Sequence, residues 1–428
     1  LWRFLSYGRV DRHGDDSFIL PANTLRRDLG EAANMKADPR IVTVALAAGG
    51  TGGHVFPALG LHAALVARGL RVLFITEGRG RRYVNASTGV DVLEIPAVNL
   101  RRKPIQGIIR LISGIRLARK AMRERGVSAA VGFGGYPSLA GMGAALSLGL
   151  PTCIHEQNAV FGQSNRLLRR FVDRVALSFQ RTSGLVASDR VSVTGNPVRP
   201  EIAALATHDY ALPLGDDRFC LLVLGGSQGA SILSEVVPAA IRNLPEALQG
   251  RVKMIQQCRY TEVNDVKAAY RELSVNAEIA PFFEDISGCL SQAHLVIGRA
   301  GASTTSEVAV AGRPSILVPY PTAANDHQTV NAELLADVGG GWRLAQPDFT
   351  ADALSSLLIE LLNDPERLRR AARAAHSVGR PHAAARLADL VIELIKAGDG
   401  SWAESGVRRP IGSSDGTFTR DAVLEGLN

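Results

Sequence analysis

The sequence predicts an α/β protein made of two parallel-sheet units in tandem, and three observations carry that reading. Apolar runs of strand length alternate with helical segments through most of the chain, as in a parallel sheet covered on both faces. Each half opens with a strand that runs into a glycine turn and then a helix: IVTVALAA into Gly49-Gly50-Thr51-Gly52-Gly53-His54, and FCLLVLGG into Gly225-Gly226-Ser227-Gln228-Gly229-Ala230. Between the halves, from about Thr194 to Asp217, the regular pattern breaks in a stretch of prolines, acids and glycines that reads as an interdomain linker.

Composition sets the broad class. With 428 residues, 46% hydrophobic and 21% charged, the chain can bury two cores of ordinary size. Lys and Arg outnumber Asp and Glu by 48 to 41, and the resulting +7 is too modest for a nucleic-acid partner unless it is concentrated somewhere. The four cysteines, Cys153, Cys220, Cys258 and Cys289, are scattered without paired metal spacing, which fits a reducing compartment and argues against disulfides or structural zinc. No apolar run approaches the ~20 residues of a membrane span, and no leader pattern opens the chain. Residues 1–36 read as a polar extension, 37–200 as the first domain and 201–378 as the second. Residues 379–397 read as a helix returning to the first domain, and 398–428 as a tail rich in Gly, Ser and charge.

In chain order, the first strand leads into a helix predicted from about Phe56 to Arg68. Its glycines allow a ligand close to the backbone, but the turn is neither GxGxxG nor a P-loop, so neither a dinucleotide nor a nucleoside-triphosphate site follows. Strands follow near Arg71–Ile75, Asp91–Ile95, Ala129–Phe133, Thr152–His155 and Arg174–Leu177. Between Asn99 and Gly126 nine Arg and Lys residues, among them Arg101, Arg102, Lys103, Arg110, Arg116 and Arg119, face the single acid Glu124. Ile105, Ile108, Ile109, Ile112 and Ile115 recur there at helical spacing. Such a segment is either an amphipathic helix for an anionic membrane surface or an ordinary helix with a core stripe and a solvated face. The loops Gly134-Gly135-Tyr136-Pro137 and His155-Glu156-Gln157-Asn158 follow strands, and each is either a site or a hydrogen-bonded loop anchor.

In the second half, strands near Val252–Gln256 and Ala277–Ala280 lead to the stretch from Gly298 to Asn331. There, a strand ending at Ile297 turns through Arg299, Ala300 and Gly301 into a helix from about Ala302 to Ala311, which Gly312 and Pro314 stop. After a strand over Ser315–Val318, Asn325 or Asp326 can cap a helix with Val330, Leu334, Leu335 and Val338 on one face. Two adjacent strand-to-helix turns at a carboxyl edge suit a phosphate. Glu307 can accept two ribose hydroxyls, and Gln328 offers a donor and an acceptor to a hexose. Thr304 and Glu307 also have capping-box spacing, so a purely local role for Glu307 stands beside the ribose role.

Taken together, GGTGGHVFPAL, GGYPS, HEQN followed by GQSN, TGNPVR, GGSQGA, GRAGASTTSE and the ND-HQ-NA residues from Asn325 to Ala332 resemble the MurG family, in order, from about Ile41 to Ile395. These bacterial glycosyltransferases add N-acetylglucosamine to undecaprenyl-pyrophosphate-linked muramyl pentapeptide. The resemblance implies two Rossmann-like domains facing across a cleft, the glycosyltransferase B fold, with UDP-N-acetylglucosamine held mainly by the second. It implies Glu307 on the ribose, Ser227 and Gln228 on the nucleotide, and Arg199 near its sugar or phosphates. Ala302, Ser303 and Thr304 would meet the pyrophosphate, Phe283 and Ile286 the uracil, and Gln328 and Asn158 the hexose. Thr51, Gly52 and Gly53 would border the donor, with His54 as base and Tyr136 beside it facing the lipid-linked acceptor. The lipid acceptor weights the basic helix, with Ile105, Ile108, Ile109, Arg110, Ile112, Arg116 and Arg119, toward docking on anionic lipid at the cytoplasmic face of the inner membrane. No D-x-D pattern is present and no cofactor is implied, a helix terminus standing in for a metal at the leaving diphosphate. Thr329 departs from the pattern where some members carry a second glutamine. A UDP-N-acetylglucosamine 2-epimerase or a glycolipid glucosyltransferase would share the fold. A nicotinamide-dependent oxidoreductase would need GxGxxG and an acid after the second strand, for which Glu77 is a weak candidate.

Overall fold

Near-continuous Val, Ile, Leu and Ala runs are buried on both faces and form the strands of two parallel sheets. The computed structural model describes residues 42–401 except 85–88, 98–103, 184–187, 214–217 and 227–228. The expected extension over 1–36 and nearly all of the expected tail lie outside these, as do Arg101, Arg102, Lys103, Ser227 and Gln228. The first sheet comprises β1 (Thr43–Ala47), β2 (Arg71–Thr76), β3 (Asp91–Glu94), β4 (Val127–Gly132), β5 (Thr152–Glu156), β6 (Arg174–Leu177) and β7 (Val191–Val193). Its order is β3-β2-β1-β4-β5-β6-β7, with every pairing parallel. The second comprises β8 (Phe219–Leu224), β9 (Val252–Gln257), β10 (Asn276–Ala280), β11 (Leu295–Gly298), β12 (Ser315–Leu317) and β13 (Gly341–Arg343). Its order is β10-β9-β8-β11-β12-β13, also parallel throughout.

The strand order reverses beside β1 in one sheet and beside β8 in the other, so the loops after β1 and β4, and after β8 and β11, diverge at the carboxyl edges. That is where open α/β sheets hold ligands. Among the helices that cover these edges and the faces of the sheets are α1 (Gly52–Val66), α2 (Pro104–Glu124), α3 (Gly135–Ser147), α4 (Ala302–Val310), α5 (His327–Ala336) and α6 (Ala383–Ser401). Alternate residues of β1 serve opposite cores: Val44 and Leu46 pack with α1 and α6, while Ala45 and Ala47 pack on the α2 and α3 side. Leu387, Ala388, Val391, Leu394 and Ile395 of α6 thus belong to the first sheet's core although they end the described chain.

Several elements differ from their sequence readings. Helix α1 begins at Gly52, four residues before the expected Phe56, so Gly52 and Gly53 form its first turn and Pro57 lies inside it. The stretch expected to be a linker is packed: Val198, Ile202 and Leu205 are buried in the second domain's core, the last two on or next to a short helix over Pro200–Ala204. Helix α5 buries Asn331, Ala332 and Leu335, whereas Val338 falls beyond its end and is exposed. Asp326 stands at its N-cap position but is left-handed (φ 50°) and takes a hydrogen bond from the Thr329 hydroxyl instead of capping backbone.

The core-stripe reading of the basic helix does not hold. The buried side of α2 is Gly107, Gly114, Ala118, Ala121 and Met122, small enough to lie close against α3. A Cβ at Gly114 would already sit 3.3 Å from that of Ala140. Ile105 (75% exposed), Ile109 (62%), Ile108 and Ile112 face outward, and only Ile115 of the stripe turns toward the core. The apolar stripe is therefore surface. No helix among the described residues is long and apolar enough to cross a membrane.

Candidate active site

A cleft of about 1020 Å³ runs between the carboxyl edges of the two sheets. One wall is the start of α4. Its N-cap, Gly301, has no side chain, and the first helical bond recorded there runs from Thr305 N–H back to Gly301. The N–H groups of Ala302, Ser303 and Thr304 therefore have no partner within the helix, and these residues line the cleft. The buried Ser303 Oγ likewise has no hydrogen-bond partner among the described residues. Asn196, from the TGNP loop, steadies this terminus by donating to Ala302 O at 3.4 Å.

One turn on, Glu307 is buried and lines the cleft. The capping-box reading fails, because Gly301 is the N-cap and Thr304 lies inside the helix, leaving Glu307 no terminus to tie back. Its carboxylate instead faces Arg199, Nη2 to Oε1 at 3.6 Å, an ion pair too long for a hydrogen bond. Burial raises the Glu307 carboxyl above its ordinary value, and the Arg199 charge opposes the rise. Arg199 Nε is buried without a partner among the described residues, and its guanidinium lies over Phe56 of the first domain, 5.1 Å from the ring centre.

Phe283 and Ile286 border the cleft, as does Gln328 at the start of α5. Gln328 Oε1 accepts from Tyr320 N–H at 3.0 Å, which orients the amide and leaves its NH₂ without a partner among the described residues. Asn158 also lines the cleft, but both ends of its amide are held: Oδ1 accepts from Asn331 at 3.2 Å, and Nδ2 donates to Glu156 at 3.3 Å.

On the opposite wall Thr51, Gly52, Gly53 and His54 begin α1. The His54 ring rests on the GGYPS loop. Gly134 (φ 89°) is essential there, since a Cβ on it would stand 3.2 Å from His54 Cε1. His54 Nδ1 lies 3.0 Å from Gln157 Oε1, Gln157 Nε2 lies 3.1 Å from His155 Nδ1, and His155 Nε2 lies 3.0 Å from Gly195 O. Glu156 accepts from Asn158 N–H, Gly162 N–H and Asn165 Nδ2, which folds the loop after HEQN around a buried carboxylate. Tyr136, expected beside the acceptor, is half-buried at the start of α3 and does not line the cleft. Glu77 does not line it either, and it binds Arg79 at 3.1 Å.

Sequence reading missed Phe56, Arg82, Tyr83, Arg259, Phe282 and Tyr320, all of which line the cleft. Phe56 stacks edge-on with Tyr83 at 5.3 Å. Arg259, Phe282 and Tyr320 closely follow the carboxyl ends of β9, β10 and β12, and Arg82 and Tyr83 lie on the short helix Gly78–Val84 after β2, so the edge rule, applied to these strands as it was to β1 and β11, would have flagged them, whereas Phe56 lies inside α1.

Residues 44–177 match the glycosyltransferase family 28 N-terminal domain, and residues 220–389 match the family 28 C-terminal domain. The chain is 47% identical over 358 residues to the UDP-N-acetylglucosamine–N-acetylmuramyl-(pentapeptide) pyrophosphoryl-undecaprenol N-acetylglucosamine transferase of Paramagnetospirillum magneticum, covering 82% of this chain and 96% of that one. The chain belongs to the MurG family. A relative of the same description from Caulobacter vibrioides is 45% identical over 352 residues, covering 81% of this chain and 97% of its own. The crystal structure of Acinetobacter baumannii MurG superposes with a TM-score of 0.66 at 30% identity, covering 82% of this chain and 99% of that one. A UDP-GlcNAc 2-epimerase from Neisseria meningitidis superposes at 0.57 with 12% identity over 83% of this chain and all of its own, a likeness of fold alone. Family membership and the two facing parallel sheets establish the glycosyltransferase B fold and sugar-transfer chemistry.

Burial holds the His155 imidazole down to about 4, against the hydrogen bond to Gly195, which raises it. Unfolded, the ring titrates near ~6.5, so the unfolded chain binds the extra proton first and stability falls as pH drops from there through about 4. Between about pH 7 and pH 5 this one group should remove on the order of 2 kcal/mol. Urea unfolding of His155→Gln at the two pH values should show a pH loss smaller by that amount, and an unchanged loss would mean that His155 is not buried neutral.

Proposed function

We propose that this enzyme moves N-acetylglucosamine from UDP-N-acetylglucosamine to the C4 hydroxyl of undecaprenyl-pyrophosphoryl-N-acetylmuramyl pentapeptide, converting lipid I to lipid II in peptidoglycan synthesis. The observation that carries the residue roles is the meeting, in one cleft, of the uncapped α4 terminus with Glu307 and the opposing His54. The free N–H groups of Ala302 to Thr304, the Ser303 hydroxyl and the positive end of the helix dipole receive the diphosphate. Glu307 accepts the ribose hydroxyls, Phe283 and Ile286 flank the uracil, and the Gln328 amide donates to the hexose. Asn158 shapes the hexose pocket while holding Asn331. Ser227 and Gln228 stay assigned to the nucleotide, and Tyr136 to the acceptor side.

In the reaction the acceptor oxygen attacks C1 of the α-linked sugar as the bond from C1 to phosphate oxygen breaks. The product is β-linked with inversion. His54 takes the hydroxyl proton, and the charge that develops on departing UDP falls on the α4 terminus, where aligned N–H groups already point. The direct test offers radiolabelled UDP-N-acetylglucosamine with a lipid-linked muramyl acceptor. A β-linked disaccharide on the lipid is expected, and no transfer, or an α-linkage, would overturn the assignment.

The enzyme docks peripherally on anionic lipid at the cytoplasmic face of the inner membrane through the outward isoleucines of α2 and the Arg110, Arg116 and Arg119 side chains around them. Leu167 and Phe171, also exposed among Arg166 and Arg170, lie on or just after the short helix over Gln163–Leu168, and α3 contacts both that helix and α2.

Glu307→Ala should weaken UDP binding by at least about tenfold, the scale of a paired charged hydrogen bond, while Gln328→Ala leaves UDP affinity intact and weakens only UDP-N-acetylglucosamine. Calorimetry with both ligands decides it, and wild-type UDP binding by Glu307→Ala would remove the ribose role. His54→Ala should lower turnover by at least about a hundredfold with UDP affinity unchanged. A mutant that keeps its turnover but loses donor affinity would make His54 a phosphate ligand. Replacing Arg110, Arg116 and Arg119 by Glu should release the protein from anionic vesicles, each basic residue being worth ~1 kcal/mol near such a surface. Unchanged sedimentation with the vesicles would refute the docking face.

A further inference from the structure

We infer that Gln157, itself oriented by the backbone and ring of His155, is a positioning residue that holds His54 as the Nδ1–H tautomer and leaves the Nε2 lone pair to act as the base. The inference rests on His54 being that base. It begins with a fixed point, the Gly195 carbonyl, which can only accept. His155 Nε2, 3.0 Å away, must therefore carry a proton. The ring is buried and neutral, so its other nitrogen, Nδ1, has a lone pair and no hydrogen.

Gln157 is buried next to it, and its orientation is set twice. Its Nε2 lies 3.1 Å from His155 Nδ1 and 2.9 Å from the His155 backbone carbonyl. Turning the amide over would press its oxygen against two acceptors and leave His155 Nδ1 without a donor, a large penalty at a buried site. The NH₂ therefore faces His155, and Oε1 faces His54. Because Oε1 can only accept, the His54 nitrogen 3.0 Å from it must carry the proton. The remaining nitrogen, Nε2, makes no hydrogen bond with the described residues, and His54 lines the cleft.

The pattern has the logic of a hydrolase triad, in which a buried group behind an imidazole sets which nitrogen is basic, with a neutral amide in place of the carboxylate. A neutral partner fixes the tautomer without stabilising the imidazolium strongly, which suits a base that must give its proton up again between turnovers. The carboxylate nearest in sequence, Glu156, is turned away into the loop, where its oxygens take Asn158, Gly162 and Asn165.

Long-range ¹⁵N–¹H correlation spectra of the full chain, labelled at histidine and assigned with His54→Ala, read the tautomer directly. In the wild type, His54 should show a pyrrole-type Nδ1 and a pyridine-type Nε2, and the reverse pattern would overturn the inference. In Gln157→Leu the ring should revert toward the Nε2–H form favoured by free imidazole. Turnover should then fall at least about tenfold, with the Michaelis constant for UDP-N-acetylglucosamine within about twofold, as expected for a wrong tautomer. In Gln157→Glu, whose outer oxygen can still accept from Nδ1–H while its inner one meets the His155 acceptors, His54 should keep the wild-type Nδ1–H pattern whatever stability is lost. A Gln157→Leu enzyme with undiminished turnover, or one that slows while His54 stays Nδ1–H, would sink the positioning role. Full turnover by His54→Ala would sink the base reading alone, because the spectra would still report whether Gln157 sets the ring.

Discussion

Backbone N–H groups that their own helix cannot satisfy set the terms for this cleft. Helices α1 and α4 both start on residues without a side-chain cap, Thr51 and Gly301, and each start lies at the carboxyl edge of a parallel sheet where strand order reverses. Donors left open at such a point are costly unless water or a ligand meets them. At the start of α4 they make one wall of the cleft electropositive. Arg199 and Glu307 modify that wall, the arginine adding charge and the carboxylate supplying the acceptor that a bare helix terminus lacks.

Facing this electropositive edge is a buried polar network that has little slack. His155, Glu156 and Gln157 are almost wholly enclosed, and nearly every polar atom they carry has a partner. The network also reaches the other domain. Asn331, fully buried on α5, accepts from Ala159 N–H at 3.0 Å and donates to Asn158 and to Ala300 O just before α4. One amide thus ties the loop behind His54 to the loop that leads into α4, so the two halves of the cleft share a hydrogen-bonded floor. The left-handed Asn325 and Asp326, just before α5, are the only non-glycine residues besides Ser274 with positive φ among those described, and such local strain is typical of ligand-facing turns.

Close packing explains the exposed isoleucines of α2 as well. Helix α2 approaches α3 largely through glycine and alanine, which leaves Ile105, Ile108, Ile109 and Ile112 on its outer side. Isoleucines therefore stand in solvent among arginines, an arrangement that burial energetics disfavours unless another apolar medium covers it. The returning helix α6 closes the other side of the same sheet with Leu387 and Val391, so the first domain presents its apolar excess on one side.

Sequence by itself determined the fold class, the tandem of two parallel units and the loops that form the cleft. Strand burial, helix stops at Gly312 and Pro314, and glycine turns are local properties, and local pattern reports them faithfully. Decisions between two physically sound roles were another matter. Whether Glu307 capped its own helix depended on where that helix began, and Gly301 settled it. Whether the isoleucines of α2 were core depended on which face met α3, and the small residues Gly114 and Ala118 took that place. Gln328 has its amide oriented by Tyr320 N–H, eight residues away, and His54 acquired its partner from Gln157, 103 residues away. Hydrogen bonds and packing between distant segments leave no periodic trace in the chain, so the orientation of each functional group was decided only when the tertiary structure brought its partner within reach.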